Sequence, residues 1–246
     1  MNTKIGSECT PEAMFDTIGG WTTQFELNGK KVGGDMEILT IDPRLYWHME
    51  QVGGIAGKRV LELGPLEGAH TKMMVDAGAK EVVAIEGLSD CFLRCLIVKE
   101  AFELNNVKFL FGDFCDYMSK YSGKKFDLIS AAGVLYHQPN PAQLIHDMAK
   151  VTDKVFVWSH VASEAQPSNV DVVITANGIS YKGKARDWGG LRLTLEKYCA
   201  SIKDYAVWLY PEDMLKCFKD AGFVNIVQKD CPINPNGSSL LFVATK

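Results

Sequence analysis

Long apolar runs and an excess of basic residues are both missing from this sequence. No apolar stretch approaches the roughly 20 residues that cross a membrane, so no membrane partner is predicted. The first residues, MNTKIGSECTPEAMFD, lack the apolar core of a signal peptide, and we therefore expect a cytoplasmic location. The formal net charge is -4 at pH 7, which gives no general attraction to nucleic acid.

The cysteines carry no pairing signature. Their number, seven, is odd, and no C-x-x-C pair occurs, so neither a disulfide framework nor a zinc site is indicated. We predict no metal site. Cys91 and Cys95 share a helix face, and we interpret them as buried or incidental thiols rather than a redox pair.

What the chain does contain is a regular alternation of strands and helices. Its 246 residues suit one α/β domain with an embellishment. Short connections predict a doubly wound, Rossmann-like parallel sheet. The last two strands should be antiparallel, because the segment between them is too short for a helical crossover. The predicted strands are 59–64, 81–87, 107–113, 126–134, 154–161, 224–230 and 238–246, and the helices between them are 67–77, 89–104, 141–151 and 211–221.

The main unit has two predicted appendages. Residues 1–54 form an amino-terminal cap, in which Asn28-Gly29 indicates a hairpin and 42–53 a helix. Residues 55–246 form the main domain. Within it, 163–205 break the alternation and lie after the fifth strand, where a polar, glycine-containing insert can act as a lid over the cleft.

The stretch RVLELGPLEGAH, residues 59–70, organises the main domain. A buried strand holding Glu62 runs into a turn with Gly64 and Gly68 and then into a helix, whose amino end offers backbone N–H groups to a ligand. The third glycine of a dinucleotide fingerprint and the G-K-[ST] of a phosphate loop are both missing. The spacing instead resembles the first motif of class I S-adenosylmethionine (SAM) methyltransferases, [D/E]-x-G-x-G-x-G. Leu66 stands at the middle glycine, and Pro65 removes a donor.

This resemblance implies SAM as cofactor and a seven-stranded sheet of order 3-2-1-4-5-7-6. Glu86 and Asp113 end the second and third strands, where this family binds the ribose hydroxyls and the adenine amine. Leu88 and the Phe114 backbone N–H are implied to contact the adenine. The full predicted cofactor set is Glu62, Gly64, Pro65, Gly68, His70, Glu86, Leu88, Asp113, Phe114 and Gly133.

The segment after the fourth strand, AAGVLYHQPNP, lacks the N/D-P-P-Y signature of amino-nitrogen methylation. Its GVLYH portion is similar to the tRNA wobble-uridine carboxymethyltransferase family and its relatives. The likeness covers roughly residues 20–160 and Tyr210 to Phe223, and it includes His70. That family carries basic residues just after the tryptophan that corresponds to Trp21, where this chain has Thr22-Thr23-Gln24. We therefore favour ordinary SAM and a different acceptor.

Two histidines are candidate general bases, since a neutral imidazole can take a hydroxyl proton near neutral pH. His137 is the first candidate, with Tyr136 orienting cofactor or acceptor, and His160 is the second. A purely structural role stays open for each: Tyr136 and His137 can shape the pocket, and His160 can bond to backbone.

The insert concentrates basic and aromatic side chains. These favour an anionic acceptor, because arginine grips carboxylates and phosphates with two parallel hydrogen bonds, although a solvated basic loop remains an equal interpretation. With Trp21 from the cap, the predicted acceptor-binding residues are Trp21, Lys182, Arg186, Trp188 and Arg192.

The sequence therefore predicts a SAM-dependent O-methyltransferase for a small metabolite that is anionic or contains a sugar. Two alternatives stay open. One is a tRNA- or RNA-modifying methyltransferase, for which a single basic insert on an acidic chain is thin support. The other is a SAM-binding protein without turnover. The acceptor's identity and the oligomeric state do not follow from the sequence.

Overall fold

The computed structural model describes residues 9–164, 170–187, 203–231 and 237–246. Its strands are β1 Gln24–Leu27, β2 Lys30–Gly33, β3 Arg59–Leu63, β4 Glu81–Glu86, β5 Val107–Phe111, β6 Leu128–Ala132, β7 Lys154–His160, β8 Val170–Ala176, β9 Ile179–Asp187, β10 Tyr205–Leu209, β11 Asn225–Lys229 and β12 Ser239–Thr245. Its α-helices are α1 Pro43–Gln51, α2 Ala69–Asp76, α3 Ser89–Ala101, α4 Phe114–Lys120, α5 Pro141–Val151 and α6 Pro211–Asp220. Single 3-10 turns cover Glu12–Asp16, Glu37–Thr40 and Leu135–His137.

The central sheet has seven strands in the order β11-β12-β7-β6-β3-β4-β5. The pairs from β7 to β5 are parallel, whereas β12 runs antiparallel to both β7 and β11. Numbered along the sheet's own strands, this is the predicted order 3-2-1-4-5-7-6, so the predicted fold class is confirmed.

Alternating side chains of the central strands build two apolar layers, one on each face of the sheet. Val60 and Val82 belong to one buried cluster, while their neighbours Leu61 and Val83 belong to the other. Because successive residues of a strand point to opposite faces, a strand covered on both sides needs a continuous apolar run. Glu62 is therefore an exception in β3, because it is a buried acid within such an apolar run.

The amino-terminal segment contains the predicted hairpin, β1 and β2. Asn28 and Gly29 at its turn both have positive φ, 51° and 74°, the conformation that a two-residue hairpin turn requires. Phe25 of β1 is buried in the same apolar cluster as Val60 of the central sheet. The hairpin therefore shares its core with one face of that sheet.

Helix α1 follows the hairpin and packs on the same face of the sheet, since Leu45 and Met49 belong to the same buried cluster as Phe25 and Val60. It begins at Pro43, and its N-cap residue Asp42 accepts a hydrogen bond from the Arg44 backbone N–H. The buried His48 ring stacks on Phe156 of β7 at a centroid distance of 4.7 Å. In the first turn of α1, the Arg44 guanidinium carbon lies 4.3 Å from the centre of the Trp158 ring, near the carboxyl end of β7.

Between β7 and α6 the chain forms elements that the sequence pattern did not reveal. Strands β8, β9 and β10 make a separate antiparallel sheet in the order β10-β9-β8. Asn177 and Gly178, with φ of 48° and 79°, form its first turn. The sheet is tied to the main domain by Tyr181, whose hydroxyl donates to Asp220 over 3.0 Å. Helix α4 is a second element without a predicted counterpart.

Within the described parts of the chain, no helix has the length and apolar character needed to span a membrane.

Candidate active site

A cleft of about 390 Å³ opens at the carboxyl ends of β3, β4, β6 and β7, the edge where doubly wound sheets bind their ligands. Twelve of the predicted site residues line it: Glu62, Gly64, Pro65, His70, Glu86, Leu88, Phe114, Gly133, Tyr136, His137, His160 and Arg186. Gly68, Asp113, Trp21 and Lys182 do not line it. Trp188 and Arg192 lie outside the described residues.

The turn after β3 is shaped by backbone conformations that suit glycine. Gly64 has a φ of 62°, and a Cβ there would lie 2.9 Å from Val134 Cγ1. Gly68, in the same turn, packs against the side chains of Phe109 and Val98, from which an added Cβ would lie 3.4 and 3.5 Å. Leu66 adopts a φ of 58° in spite of its side chain, a conformation that costs a non-glycine residue roughly 1 kcal/mol or more. The backbone therefore keeps the positive φ that glycine favours even at Leu66, which replaces the middle glycine of the motif.

Two buried carboxyl groups end the neighbouring strands. Glu86 accepts hydrogen bonds from the backbone N–H groups of Leu88, at 2.9 Å, and Leu66, at 3.1 Å. Glu62 accepts one from the Thr71 hydroxyl. Burial raises the pKa of each carboxyl to about 7 and outweighs these hydrogen bonds, which act in the opposite direction. Near neutral pH, either group can accept or donate a hydrogen bond.

Asp113 follows β5 closely, as the resemblance implies, but its side chain does not line the cleft. Its side chain caps α4 by accepting from the Cys115 N–H over 2.8 Å, and it pairs with Lys203 over 2.6 Å. Burial acts to raise the pKa of this carboxyl, but Lys203 and the Cys115 N–H together lower it. Its neighbours Gly112 and Phe114 reach the cleft instead.

Glu67 is a site residue that the sequence did not predict. Its buried carboxylate accepts from the backbone N–H groups of Thr22, at 2.9 Å, and Thr23, at 2.6 Å. These bonds join the amino-terminal segment to the turn after β3. Thr23 lines the cleft, and its side-chain oxygen has no hydrogen-bond partner among the described atoms. The one indication of this role in the sequence was the position of the acid Glu67 between Gly64 and Gly68.

Trp21, predicted to contact the acceptor, is part of the core. Its indole N–H lies 2.9 Å from the carbonyl oxygens of both Phe15 and Ile18. The residue is 7% exposed. These bonds hold the backbone that presents Thr22 and Thr23 to Glu67.

Helix α1 brings a second unpredicted group to the cleft. Arg44 lines it, and the Arg44 side chain is paired with Asp42, whose carboxylate is also 2.9 Å from His70 Nε2. Burial acts to raise the pKa of Asp42, but the hydrogen bonds from His70 and Arg44 hold it well below its usual range. No local motif marks Arg44, because its partners come from distant parts of the chain.

The half of the cleft beside β6 and β7 is an aromatic box, formed by Tyr136, Trp158, His160 and Trp208. Tyr136 meets the other three rings edge to face at centroid distances of 4.8 to 5.9 Å. His160 stacks on Trp208 at 5.1 Å and 10°. The Trp208 indole donates to the Tyr136 carbonyl over 2.9 Å. This bond joins the three-stranded sheet β10-β9-β8 to the turn after β6.

Both predicted base residues are neutral imidazoles at neutral pH. Burial lowers the pKa of His137 to about 4, with further lowering by His160 and Arg186. Burial also lowers the pKa of His160. The Nδ1 atom of His160 lies 3.4 Å from the Ser238 carbonyl, and such a contact favours the tautomer whose Nε2 lone pair is basic. His137 lies directly beside Tyr136, at a ring distance of 4.2 Å.

The fold and this cleft define a class I SAM-dependent methyltransferase, and the sequence places the chain in a family. The chain belongs to the methyltransferase-domain family, whose sequence model matches residues 48–228. No curated protein matches the chain in sequence.

Solved structures share the fold at low sequence identity. The crystal structure of the N-terminal domain of EvdMO1 in the presence of S-adenosylhomocysteine (SAH) and D-fucose is similar with a TM-score of 0.72 and 23% identity, over 92% of this chain and 91% of that one. The SAM-bound magnesium protoporphyrin IX methyltransferase of Synechocystis PCC 6803 gives 0.57 and 16%, over 87% and 86%. A SAM-dependent methyltransferase from Mesorhizobium loti gives 0.56 and 14%, over 84% and 100%.

Proposed function

We propose that this methyltransferase transfers the methyl group of SAM to a hydroxyl oxygen of a small metabolite that is anionic or contains a sugar. The observation that carries this proposal is the aromatic box, which together with the adjacent His137 places two neutral imidazoles and a tyrosine at one end of the cleft. Trp158 is the partly exposed ring of the box, and an aromatic surface suits the C–H groups of a sugar ring. The presence of D-fucose in the EvdMO1 domain structure points in the same direction.

The part of the cleft at the ends of β3 and β4, here called the cofactor half, has several features that support SAM binding. Gly64 and Gly133 have positive φ and leave the cleft wall without side chains. Glu86 is proposed to take the ribose hydroxyls, and Leu88 and Phe114 to contact the adenine. Thr23 offers a buried hydroxyl whose hydrogen-bonding capacity no described atom uses. When bound, SAM supplies a methyl group already activated on a sulfonium.

The remaining requirements on the protein are alignment of the acceptor and removal of its hydroxyl proton. We assign proton removal to the His137 and His160 pair. Each is uncharged near pH 7, because burial lowers its pKa. His160 has in addition the backbone contact that orients a base. Tyr136, which touches both rings, is proposed to hold the acceptor hydroxyl between them.

The insert is proposed to be the acceptor lid, and residues 1–54 the cap. Support comes from Arg186 of β9 within the insert and from Trp208 of β10, which pairs with β9, since both side chains line the cleft. The cap contributes to the cleft in the same way, through Thr23, Met36 and Leu39.

The test is SAH release from purified protein with SAM and a panel of hydroxylated sugars, sugar acids and short RNAs. We expect turnover with a small hydroxylated compound and none with RNA. Replacing the base residue should lower kcat by about 100-fold or more, so His137→Gln and His160→Gln are compared. His146→Gln, a histidine outside the cleft, is the control. Turnover of RNA alone, or full activity in both cleft variants, would refute the proposal.

A further inference from the structure

Arg44 is held rigidly at the wall of the cleft. Its Nε lies 2.9 Å from Asp42 Oδ1, and its Nη2 lies 2.5 Å from Asp42 Oδ2. The guanidinium carbon is 4.3 Å from the centre of the Trp158 ring. Asp42 is 1% exposed and is fixed in turn by His70. One edge of the guanidinium is therefore anchored and one face is covered.

The other edge of this guanidinium retains donor capacity. No hydrogen bond within the described structure uses Arg44 Nη1, and the side chain is 33% exposed. Arginine forms a planar fork that binds carboxylate or phosphate oxygens with two parallel hydrogen bonds. A fork that is already oriented loses less conformational entropy when it binds.

A second guanidinium lies against another ring of the aromatic box. The guanidinium carbon of Arg186 is 4.9 Å from the centre of the Trp208 ring. Trp158 and Trp208 both pack on His160, with ring distances of 5.1 Å each. The box is thus bounded by one arginine from α1 and one from β9.

The acids of the cleft lie elsewhere. Its described lining contains three, Glu62, Glu67 and Glu86, and all of them belong to the ends of β3 and β4 or to the turn between β3 and α2. The box itself is lined by arginine, aromatic and histidine side chains. The Asp42 carboxylate beside the box already has hydrogen-bond partners in Arg44 and His70. The unused edge of Arg44 and the guanidinium of Arg186 therefore favour a negative group at the box.

We propose that Arg44 is an acceptor-binding residue that, together with Arg186, receives a carboxylate or phosphate group of the methyl acceptor. The inference rests on the proposed function and narrows it: the substrate is a hydroxylated anion, and Arg44 distinguishes it from neutral analogues. The same side chain therefore determines specificity without taking part in proton transfer.

Three sugars that share one ring configuration and differ at C6 provide the test: neutral D-fucose, D-galacturonate and D-galactose 6-phosphate. Each is titrated into SAH-loaded protein by calorimetry. We expect an anionic sugar to bind at least about 10-fold more tightly than D-fucose. Preference for galacturonate would identify a carboxylate, and preference for the 6-phosphate would identify a phosphate.

Variants then assign the effect to Arg44. Arg44→Gln should remove the preference for the anion, and Arg44→Lys should restore part of it, since lysine keeps the charge but lacks the fork. Lys31→Gln, an exposed hairpin cation, makes the same change in net charge and should have no effect. SAH affinity and thermal unfolding verify that each variant is folded.

The proposal is overturned if no anionic sugar binds more tightly than D-fucose, or if Arg44→Gln keeps the preference. Turnover of a neutral sugar at equal rates in wild type and Arg44→Gln would overturn it while leaving the proposed function intact. Binding of an anion that depends on Arg44, with no methyl transfer to any acceptor, would support the anion site and refute the proposed function.

Discussion

At the scale of single residues, Gly64 shows how one missing side chain keeps the cleft open. We expect Gly64→Ala to destabilise the fold by about 2 kcal/mol or more, through positive-φ strain and overpacking against Val134. Gly53→Ala is the matched control, because Gly53 has a φ of 70° but an added Cβ would meet no atom within 4 Å. That variant should incur only the conformational cost, about 1 kcal/mol.

Urea denaturation of these variants measures the difference, and a double variant identifies its origin. Adding Val134→Ala to Gly64→Ala should recover the steric part of the loss, since residues in contact give non-additive effects. Equal losses for Gly64→Ala and Gly53→Ala would show that the close approach to Val134 is unimportant.

At the scale of elements, variants of Asp113 can distinguish its structural role as the cap of α4 from a role in binding the cofactor. Asp113→Ala removes the α4 cap and should cost about 1 kcal/mol of unfolding free energy. Asp113→Asn keeps the cap and should cost less. The ion pair with Lys203 is partly exposed, so Lys203→Gln should cost only about 0.5 kcal/mol.

SAH titration of the same variants tests the adenine prediction. A direct contact predicts a loss of about 10-fold in affinity for Asp113→Ala with little change for Lys203→Gln. Unchanged SAH affinity in all three variants would leave Asp113 as a cap alone.

The same elements show what the sequence could and could not predict. Buried strands such as β4 and β7 carry continuous apolar runs, and the cap hairpin carries Asn28-Gly29. Strand pattern and turn chemistry therefore identified them. Strand β8, VDVVITA, is mostly apolar, but it lies in a segment that is polar and contains glycines overall, and Val170 and Val173 are exposed. The segment as a whole therefore resembled a loop. Helix α4 has only seven residues, too few for a helical repeat to be evident.

The sequence predicted those residues of the candidate site that lie at or just after the carboxyl ends of the sheet strands. Glu62, Glu86, Tyr136, His137 and His160 all reach the cleft, because parallel strands bring their carboxyl ends to one edge. Arg44 and Glu67 were missed for a physical reason: each becomes a site residue through contacts across the chain, to Trp158 and to Thr22. Residue spacing along the chain does not reveal such contacts, and the one local indication was the position of Glu67 between Gly64 and Gly68.

At the scale of the whole molecule, buried ionisable groups make stability depend on pH in opposing directions. The buried histidines lower the free energy of unfolding as pH falls below their pKa in the unfolded chain. In that range the unfolded chain binds protons at these histidines and the folded protein does not. Buried Glu62 and Glu86 act in the reverse sense, because the folded state binds their protons more tightly up to about pH 7.

His48 allows one of these contributions to be isolated. It lies outside the cleft, stacks on Phe156 at 4.7 Å, and has a pKa that burial lowers to about 3. With an unfolded pKa near 6.5, it should remove about 2 kcal/mol of stability between about pH 7.5 and pH 5. We expect the unfolding free energy of wild type minus that of His48→Phe to fall by about this amount over that range. Glu62→Gln should shift the corresponding difference in the opposite direction, because its folded-state pKa is raised rather than lowered. A difference for His48→Phe that is independent of pH would mean that the imidazole is protonated in the folded protein as readily as in the unfolded chain.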